Sequence, residues 1–123
     1  MINRNNIETI NELCLHDMEL SGIKIDYFGH VVEIYLYDRQ DRYVLLFECM
    51  QSFSITGVEP WGEGMYVYEI KATTNFTKQL IKVSGDYIIN DEAFMTEILL
   101  NSGDRINIIA SSIQFAKDSR LSP

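Results

Sequence analysis

Two β-strands joined by a polar turn are indicated by the sequence VVEIYLYDRQDRYVLLFECM, residues 31–50. The segments 31–38 and 43–50 are rich in β-branched and aromatic side chains, which pack well on the pleated surface of a sheet. Charged and amide side chains fill the interval between them. We therefore expect an antiparallel hairpin within a β-rich fold.

The pairing of this hairpin decides which side chains share a face. We expect Tyr37 to lie opposite Tyr43 across the DRQDR turn. One face then carries Val32, Ile34, Leu36, Val44 and Leu46, and the other carries Glu33, Tyr35, Tyr37, Tyr43, Leu45 and Phe47. Both faces hold large apolar groups, which a sheet with one wet side does not require. The hairpin is therefore either covered on both faces or uses its aromatic face as a contact surface.

A short helix is expected before the sheet, over residues 3–13. Ile7, Ile10 and Leu13 recur at three-residue spacing, which places them on one helical face. Asn3 or Asn5 is the expected N-cap, because an amide oxygen accepts a backbone N–H that has no intrahelical partner. Such a short helix must pack against another element to be stable.

Alternating apolar and polar residues predict the remaining strands. They cover residues 23–27, 65–73, 79–84, 86–90, 94–100, 106–110 and 113–115, with 51–57 continuing the second hairpin strand past a bend. The loop 58–64 holds one Pro and two Gly. Short connections favour antiparallel neighbours. The expected fold is mainly β (α+β), an antiparallel sandwich or partial barrel of seven or eight strands with a short N-terminal helix.

The length and composition indicate one domain over residues 1–123. It consists of the helix 3–13, an antiparallel β-meander over 16–116 and a tail over 117–123. Hydrophobic residues make up 46% of the 123, which is enough for a core. The N-terminus lacks the pattern of a secretory signal, and no stretch is long and apolar enough to span a bilayer. We expect a cytoplasmic protein in which Cys14 and Cys49 are reduced and Cys14 is buried.

Charge is distributed unevenly along the chain. The formal net charge is −8, and residues 1–70 carry all of it, with twelve acidic side chains against four basic ones. Such acidity disfavours binding to nucleic acid or to anionic lipid and favours a basic partner. The alternative is that the acidic residues serve only to keep the protein soluble.

No catalytic or metal site is indicated by residue spacing. His16 and His30 each lack a second His or Cys separated from them by the two to four residues of a zinc pattern, and no serine occupies a nucleophile turn. Glu59 and Glu63 flank Trp61 in a loop that resembles a sugar-binding arrangement, but a Trp folded back onto the sheet is the favoured interpretation. We expect no enzyme activity and no cofactor.

Two stretches carry a family resemblance: LCLHDMEL at residues 13–20, followed by an Ile-x-Ile-x-Tyr strand, and EILLNSGDRI at 97–106. Together they resemble the YxiG-like group of small bacterial proteins and the related immunity proteins of polymorphic toxin systems. The resemblance covers nearly the whole chain and implies a non-enzymatic protein that neutralises a toxin by binding it. It transfers no binding residue. Within the first motif, Leu13 and Leu15 are expected to anchor the helix-to-strand junction, with His16 or Asp17 bonded to backbone groups there.

The leading functional hypothesis is therefore an immunity-type protein that binds a cognate, basic toxin domain. The expected contact residues are acidic or aromatic: Asp17, Glu19, Asp26, Glu33, Tyr35, Tyr37, Trp61 and Glu63. For the tyrosines, core packing is the alternative. A second hypothesis is a small-molecule or carbohydrate-binding module that uses Trp61 and the tyrosines as a stacking surface. A homodimer through exposed strand edges is compatible with both.

Overall fold

A computed structural model describes residues 1–56, 66–74 and 92–117. Within these ranges the chain forms one short 3-10 helix, Arg4–Leu13, and nine strands. The strands are β1 (Ile2–Asn3), β2 (Glu19–Asp26), β3 (Val31–Tyr37), β4 (Arg42–Glu48), β5 (Ser52–Thr56), β6 (Val67–Thr73), β7 (Phe94–Leu100), β8 (Arg105–Ala110) and β9 (Ser112–Lys117). The predicted strands at 79–84 and 86–90, the loop 58–64 and the tail beyond Lys117 lie outside the described residues.

Two antiparallel sheets make up the fold, and over the described residues they do not close into a barrel. One sheet has the strand order β1-β9-β4-β3-β2 and the other has the order β5-β8-β7-β6. Alternate residues of β3 and β7 are buried, as expected for strands with one face toward a core. Phe47 and Phe94 are the largest of the fully buried side chains. The expected β-rich sandwich architecture is confirmed.

The expected meander holds only in part. β2, β3 and β4 are consecutive neighbours, and so are β6, β7 and β8, but β5 pairs with β8 and β9 pairs with β4. The chain changes sheet at two bends, where Met50 N donates to His30 O (2.7 Å) and Ser111 N donates to Glu48 O (3.0 Å). Residues 51–56 thus enter the second sheet and do not extend β4. Alternation in a sequence identifies strands but not their spatial neighbours, so these crossovers were not predicted.

The predicted register of the β3–β4 hairpin is wrong by one residue. Tyr37 lies opposite Arg42, and Leu36 lies opposite Tyr43. The reason is the turn, which has four residues because the Asp38 carboxylate accepts hydrogen bonds from the backbone N–H groups of Gln40 (2.9 Å) and Asp41 (2.8 Å). A slip of one residue turns every side chain of a strand to the other face.

The corrected register explains the composition of the two faces. Leu45 and Phe47 join Val32, Ile34 and Leu36 in the core, all at most 1% exposed. The outward face of the same hairpin carries Glu33, Tyr35, Tyr37, Arg42, Val44 and Leu46. Tyr35 and Tyr37 are therefore surface residues of the sheet, half-buried and exposed respectively.

The N-terminal helix forms where it was predicted, with a tighter geometry. Asn3 is the N-cap, because its side chain accepts from Asn5 N (2.9 Å), while the side chain of Asn6 accepts from Asn3 N (2.7 Å). Asn6 itself departs from helical dihedral angles, so the element is two 3-10 segments joined by a kink. Ile10 is buried, and Ile7 and Leu13 pack against the core, as their spacing predicted.

Both cysteines are exposed and unpaired. The expectation that Cys14 is buried is therefore wrong. Cys14 (φ 54°) and Cys49 (φ 55°) each adopt a left-handed conformation, at the end of the helix and after β4 respectively. A left-handed residue that terminates an element turns the chain sharply, and at both positions the side chain is left in solvent.

Candidate functional site

The edges of the two sheets meet at one corner of the sandwich. Asp17 N donates to Val67 O (2.8 Å), Val67 N donates to Met18 O (2.8 Å), and Glu19 forms an isolated bridge with Tyr66. These backbone contacts join the start of β2 to the start of β6. They place side chains from distant parts of the chain within one region, which we call the corner.

The turn between β7 and β8 holds Tyr66 in place. Asn101 N donates to Tyr66 O (2.9 Å), and the Asn101 side-chain oxygen accepts from Tyr66 N (3.2 Å). Gly103 takes a positive φ of 93° in this turn, a conformation that side-chain-bearing residues rarely adopt. This turn connects the strands predicted at 94–100 and 106–110, and it fixes Tyr66 next to a neighbouring strand.

An open cleft of about 590 Å³ lies at the corner. Its lining residues are Asp17, Glu19, Tyr37, Asp38, Arg39, Tyr66 and Asn101. Three carboxylates and one guanidinium give it a net negative charge. The side chains of Tyr37 and Tyr66 remain 37% and 38% exposed, so both are accessible to a bound group. We call this site the acidic cleft.

Tyr37 and Glu19 form the polar contact across β2 and β3. They are directly opposite in the register. Hydrogen bonding to the Glu19 carboxylate raises the pKa of Tyr37, and the negative charge of Glu19 raises it further. The phenol therefore stays protonated to a higher pH than an ordinary tyrosine.

Asp38 lies at the rim of the acidic cleft and shapes the turn that follows β3. Its carboxylate accepts the two backbone N–H groups of the turn, and these hydrogen bonds lower the pKa of Asp38. A carboxylate whose charged form is stabilised in this way remains ionised well into the acidic range. Asp38 thus supplies a fixed negative charge next to Arg39.

His16 has a structural role at the edge of the corner. Its Nδ1–H donates to the Tyr68 carbonyl (2.8 Å), its ring packs edge-on against the Tyr68 ring at 5.9 Å, and Nε2 lies 3.4 Å from an Asp17 carboxylate oxygen. Because a carbonyl only accepts, this bond assigns the proton to Nδ1. His16 thus bonds a backbone group, but one that belongs to β6 and not to the helix-to-strand junction where the bond was expected. Leu15 is buried at 2% exposure.

The sequence-predicted contact residues fall into separate groups. Asp17, Glu19 and Tyr37 line the acidic cleft. Asp26 lies at the opposite end of β2, where it accepts from Gly29 N (2.9 Å). The remaining predicted residues lie elsewhere: Glu33 and Tyr35 are bonded to each other on the outward sheet face, and Trp61 and Glu63 lie outside the described residues.

The acidic residues described within positions 1–56 and 66–70 are spread over several parts of the fold. Among the described residues, three of them line the cleft. Others lie on the helix, on the outward sheet face, at the β2–β3 turn and at the far end of β4. The basis for an electrostatic contact is therefore the local charge of the cleft and not the charge of the whole N-terminal half.

Sequence reasoning missed four residues of the cleft. Asp38 had a usable signal, since an Asp at the start of a polar turn favours bonding to backbone N–H groups two and three residues on. Arg39 shares that turn. Tyr66 and Asn101 are separated by 35 residues, and no local pattern relates them.

A second cavity, of about 350 Å³, lies where the helix begins, between Asn3, Arg4, Asn5, Glu92 and Ser111. The Arg4 guanidinium there donates to the Ala93 carbonyl (3.1 Å), which ties the helix to the segment before β7. Within 1–56, 66–74 and 92–117, no three His, Cys, Asp or Glu side chains are grouped to hold a metal ion. No helix in the same ranges is long and apolar enough to cross a membrane.

The molecule is thus a two-sheet antiparallel sandwich with an acidic, tyrosine-bearing cleft where the two sheet edges meet. No protein-family model matches the chain, and no curated protein matches it significantly. The resemblance to YxiG-like and immunity proteins therefore stays a prediction.

Proposed function

We propose that the protein is a non-enzymatic, immunity-type inhibitor that binds a basic toxin domain through the acidic cleft. The observation that carries this proposal is the convergence of Asp17, Glu19 and Tyr37, three predicted contact residues, on one open cleft. The corner adds Asp38 and Tyr66 to the same surface.

Charge and chemistry support a guanidinium or ammonium group of the partner as the occupant. The carboxylates of Asp17 and Glu19 accept charge-assisted hydrogen bonds, which are stronger than neutral ones. Tyr37 and Tyr66 offer ring surfaces for the stem or face of an arginine side chain. When a carboxylate of the cleft and a cation of the partner are buried together, both charges need hydrogen-bonding partners, and the cleft provides several acceptors.

Arg39 shapes specificity at the rim. Its positive charge adjoins Asp38 and repels a second cation placed on that side. We therefore expect the partner to present one basic side chain to the Asp17 and Glu19 side of the cleft and an acidic or neutral group near Arg39. Such mixed charge patterns set orientation and partner choice more than total affinity.

The direct test is co-expression with tagged toxin domains encoded next to this gene, followed by affinity purification and calorimetry. The double variant Asp17→Asn with Glu19→Gln removes two charges from the cleft. It is expected to weaken binding by about tenfold or more and to reduce the salt dependence of association. The matched control is Glu8→Gln with Glu12→Gln, which removes two charges from exposed helix positions.

Equal loss of binding in both double variants would show that general acidity and not the cleft is responsible. Failure to recover any partner from the adjacent genes would refute the immunity proposal. Circular dichroism of each variant shows whether the fold is retained, so that a loss of binding is not confused with unfolding.

A second candidate function is the binding of a small polar ligand, and the volume of the cleft favours it. About 590 Å³ lies in the range of small-molecule sites. A thermal-shift screen of amines, amino acids and sugars tests it. Stabilisation by a small ligand that the Tyr37→Ala substitution abolishes would favour this function over the inhibitor.

A further inference from the structure

The strand β2 is the last strand at one end of the five-stranded sheet. Within the described residues, β2 pairs with β3, and its only other bridge is the one from Glu19 to Tyr66. The end of the strand is exposed: Ile25 is 45% exposed, and Tyr27, just after it, is 76% exposed. An edge strand with unpaired backbone groups and apolar side chains is a template for pairing with another strand.

We infer that β2 pairs with β2 of a second copy of this chain, as antiparallel strands related by a two-fold axis. Such an interface uses the same residues on both copies. A two-fold axis perpendicular to the sheet keeps the inner faces of both copies on the same side of the combined sheet. Because directly opposite residues point to the same face, the axis must pass between one residue and the same residue of the second copy.

Charge selects among the allowed registers. A centre at Lys24 would place two ammonium groups opposite each other, which is unfavourable. A centre at Ile23 would place Lys24 opposite Gly22, which has no side chain to meet it. A centre at Ile25 places Lys24 opposite Asp26 of the second copy, and the symmetry repeats this pair. The two oppositely charged pairs flank the Ile25–Ile25 contact.

The groups required for these pairs are free to form them. Lys24 has no ion pair within the part of the chain that the structure describes. Asp26 uses one carboxylate oxygen to accept from Gly29 N, which leaves the other for a cross-copy partner. On the inward side, Ile25 would contact its counterpart, and Ile23 would lie next to the β2–β3 turn of the second copy, which begins at Tyr27. The register thus covers apolar surface that is now exposed.

This interface is separate from the acidic cleft. Glu19 begins β2 and Asp26 ends it, so the two sites are about 20 Å apart along the strand. None of the residues in the proposed pairs lines the cleft. The inference does not depend on the proposed inhibitor function.

The test is sedimentation equilibrium of the full chain up to millimolar concentration. The wild-type protein is expected to show a reversible monomer–dimer equilibrium. Lys24→Asp places Asp opposite Asp in both pairs and is expected to raise the dimer dissociation constant by about tenfold or more. Asp26→Lys places Lys opposite Lys in both pairs and is also expected to raise the dimer dissociation constant. Mixing the two variants restores both pairs and is expected to give a heterodimer.

The matched control is Lys71→Asp, the same charge change on an exposed position of the other sheet. It is expected to leave the dissociation constant unchanged. A wild-type protein that stays monomeric at millimolar concentration would overturn the inference, and so would a dimer that is insensitive to Lys24→Asp. If Asp26→Lys fails to fold because its turn bond is lost, the Lys24→Asp comparison alone decides.

Discussion

Glu19 and Tyr37 lie opposite each other on adjacent antiparallel strands, and the Glu19 carboxylate raises the pKa of the Tyr37 phenol. The two residues are 18 positions apart in the sequence, and both line the acidic cleft. Their contact has a measurable consequence in the alkaline range.

The Tyr37→Phe variant is expected to lose one late-titrating phenol. Hydrogen bonding to Glu19 raises the pKa of Tyr37 in the folded protein. The protonated phenol therefore stabilises the folded state, and this stabilisation is fully present below the unfolded pKa of tyrosine, about 10. That stabilisation disappears as pH rises through the higher folded value. Ultraviolet titration of the folded protein should show the late tyrosine transition of Tyr37 only in the wild type. An unchanged titration curve would mean that the bond does not form.

The Asp38→Ala variant is expected to lose stability in a pH-dependent manner. The backbone hydrogen bonds lower the pKa of Asp38, so its stabilising effect is present above the unfolded value, about 4, and is lost as pH falls through the folded value. Urea midpoints of wild type and variant should differ at pH 7 and converge in strong acid. Asp38→Asn keeps a side-chain acceptor and should recover part of the difference without the pH dependence.

Substitutions in β4 test the one-residue register correction. Leu45 is fully buried, whereas Leu46 faces outward and is half-buried. Leu45→Ala is expected to lower the free energy of unfolding by about 2–5 kcal/mol, because it leaves a cavity. Leu46→Ala should cost about 1 kcal/mol or less. Chemical denaturation measures the free energy of unfolding of both variants. A larger loss for Leu46→Ala than for Leu45→Ala would support the pairing of Tyr37 with Tyr43.

The Thr96→Val variant is expected to be more stable than the wild type. Thr96 is 1% exposed between Ala72 and Ile108, and its hydroxyl has no hydrogen-bonding partner among the described residues. A buried hydroxyl without a partner costs about 1–3 kcal/mol, and valine has nearly the same shape. Differential scanning calorimetry should show a higher Tm. Thr96→Ser, which keeps the hydroxyl and removes the methyl group, should lower it.

The β-rich class was predictable because alternation is a local property of the sequence. The burial of every second position on β3 follows from period two alone, and Val32, Ile34 and Leu36 are buried as a set. The partners of β4 and β8 were not predictable in the same way. β9 returns to β4 and β5 joins β8 only after the chain bends at Cys49 and Ser111, and neither bend carries the Gly or Pro that marks many turns.

The candidate site was predictable to the extent that its residues are acidic or aromatic. Asp17, Glu19 and Tyr37 were found for that reason. Their grouping with Tyr66 and Asn101 depends on contacts between strands far apart in the chain. Acidic residues elsewhere on β2 and β3 have the same composition signal, so side-chain type alone did not separate them from the cleft.

The backbone contacts between Asp17 and Val67 also affect the order in which parts of the protein fold. They join segments about fifty positions apart and so close a long loop. Closing this loop costs conformational entropy, which is offset only once the contacts have formed. The local hairpins have no such requirement and should form earlier along the folding route. Amide protons of Asp17 and Val67 should consequently exchange with deuterium together and sooner than those of β3 and β4.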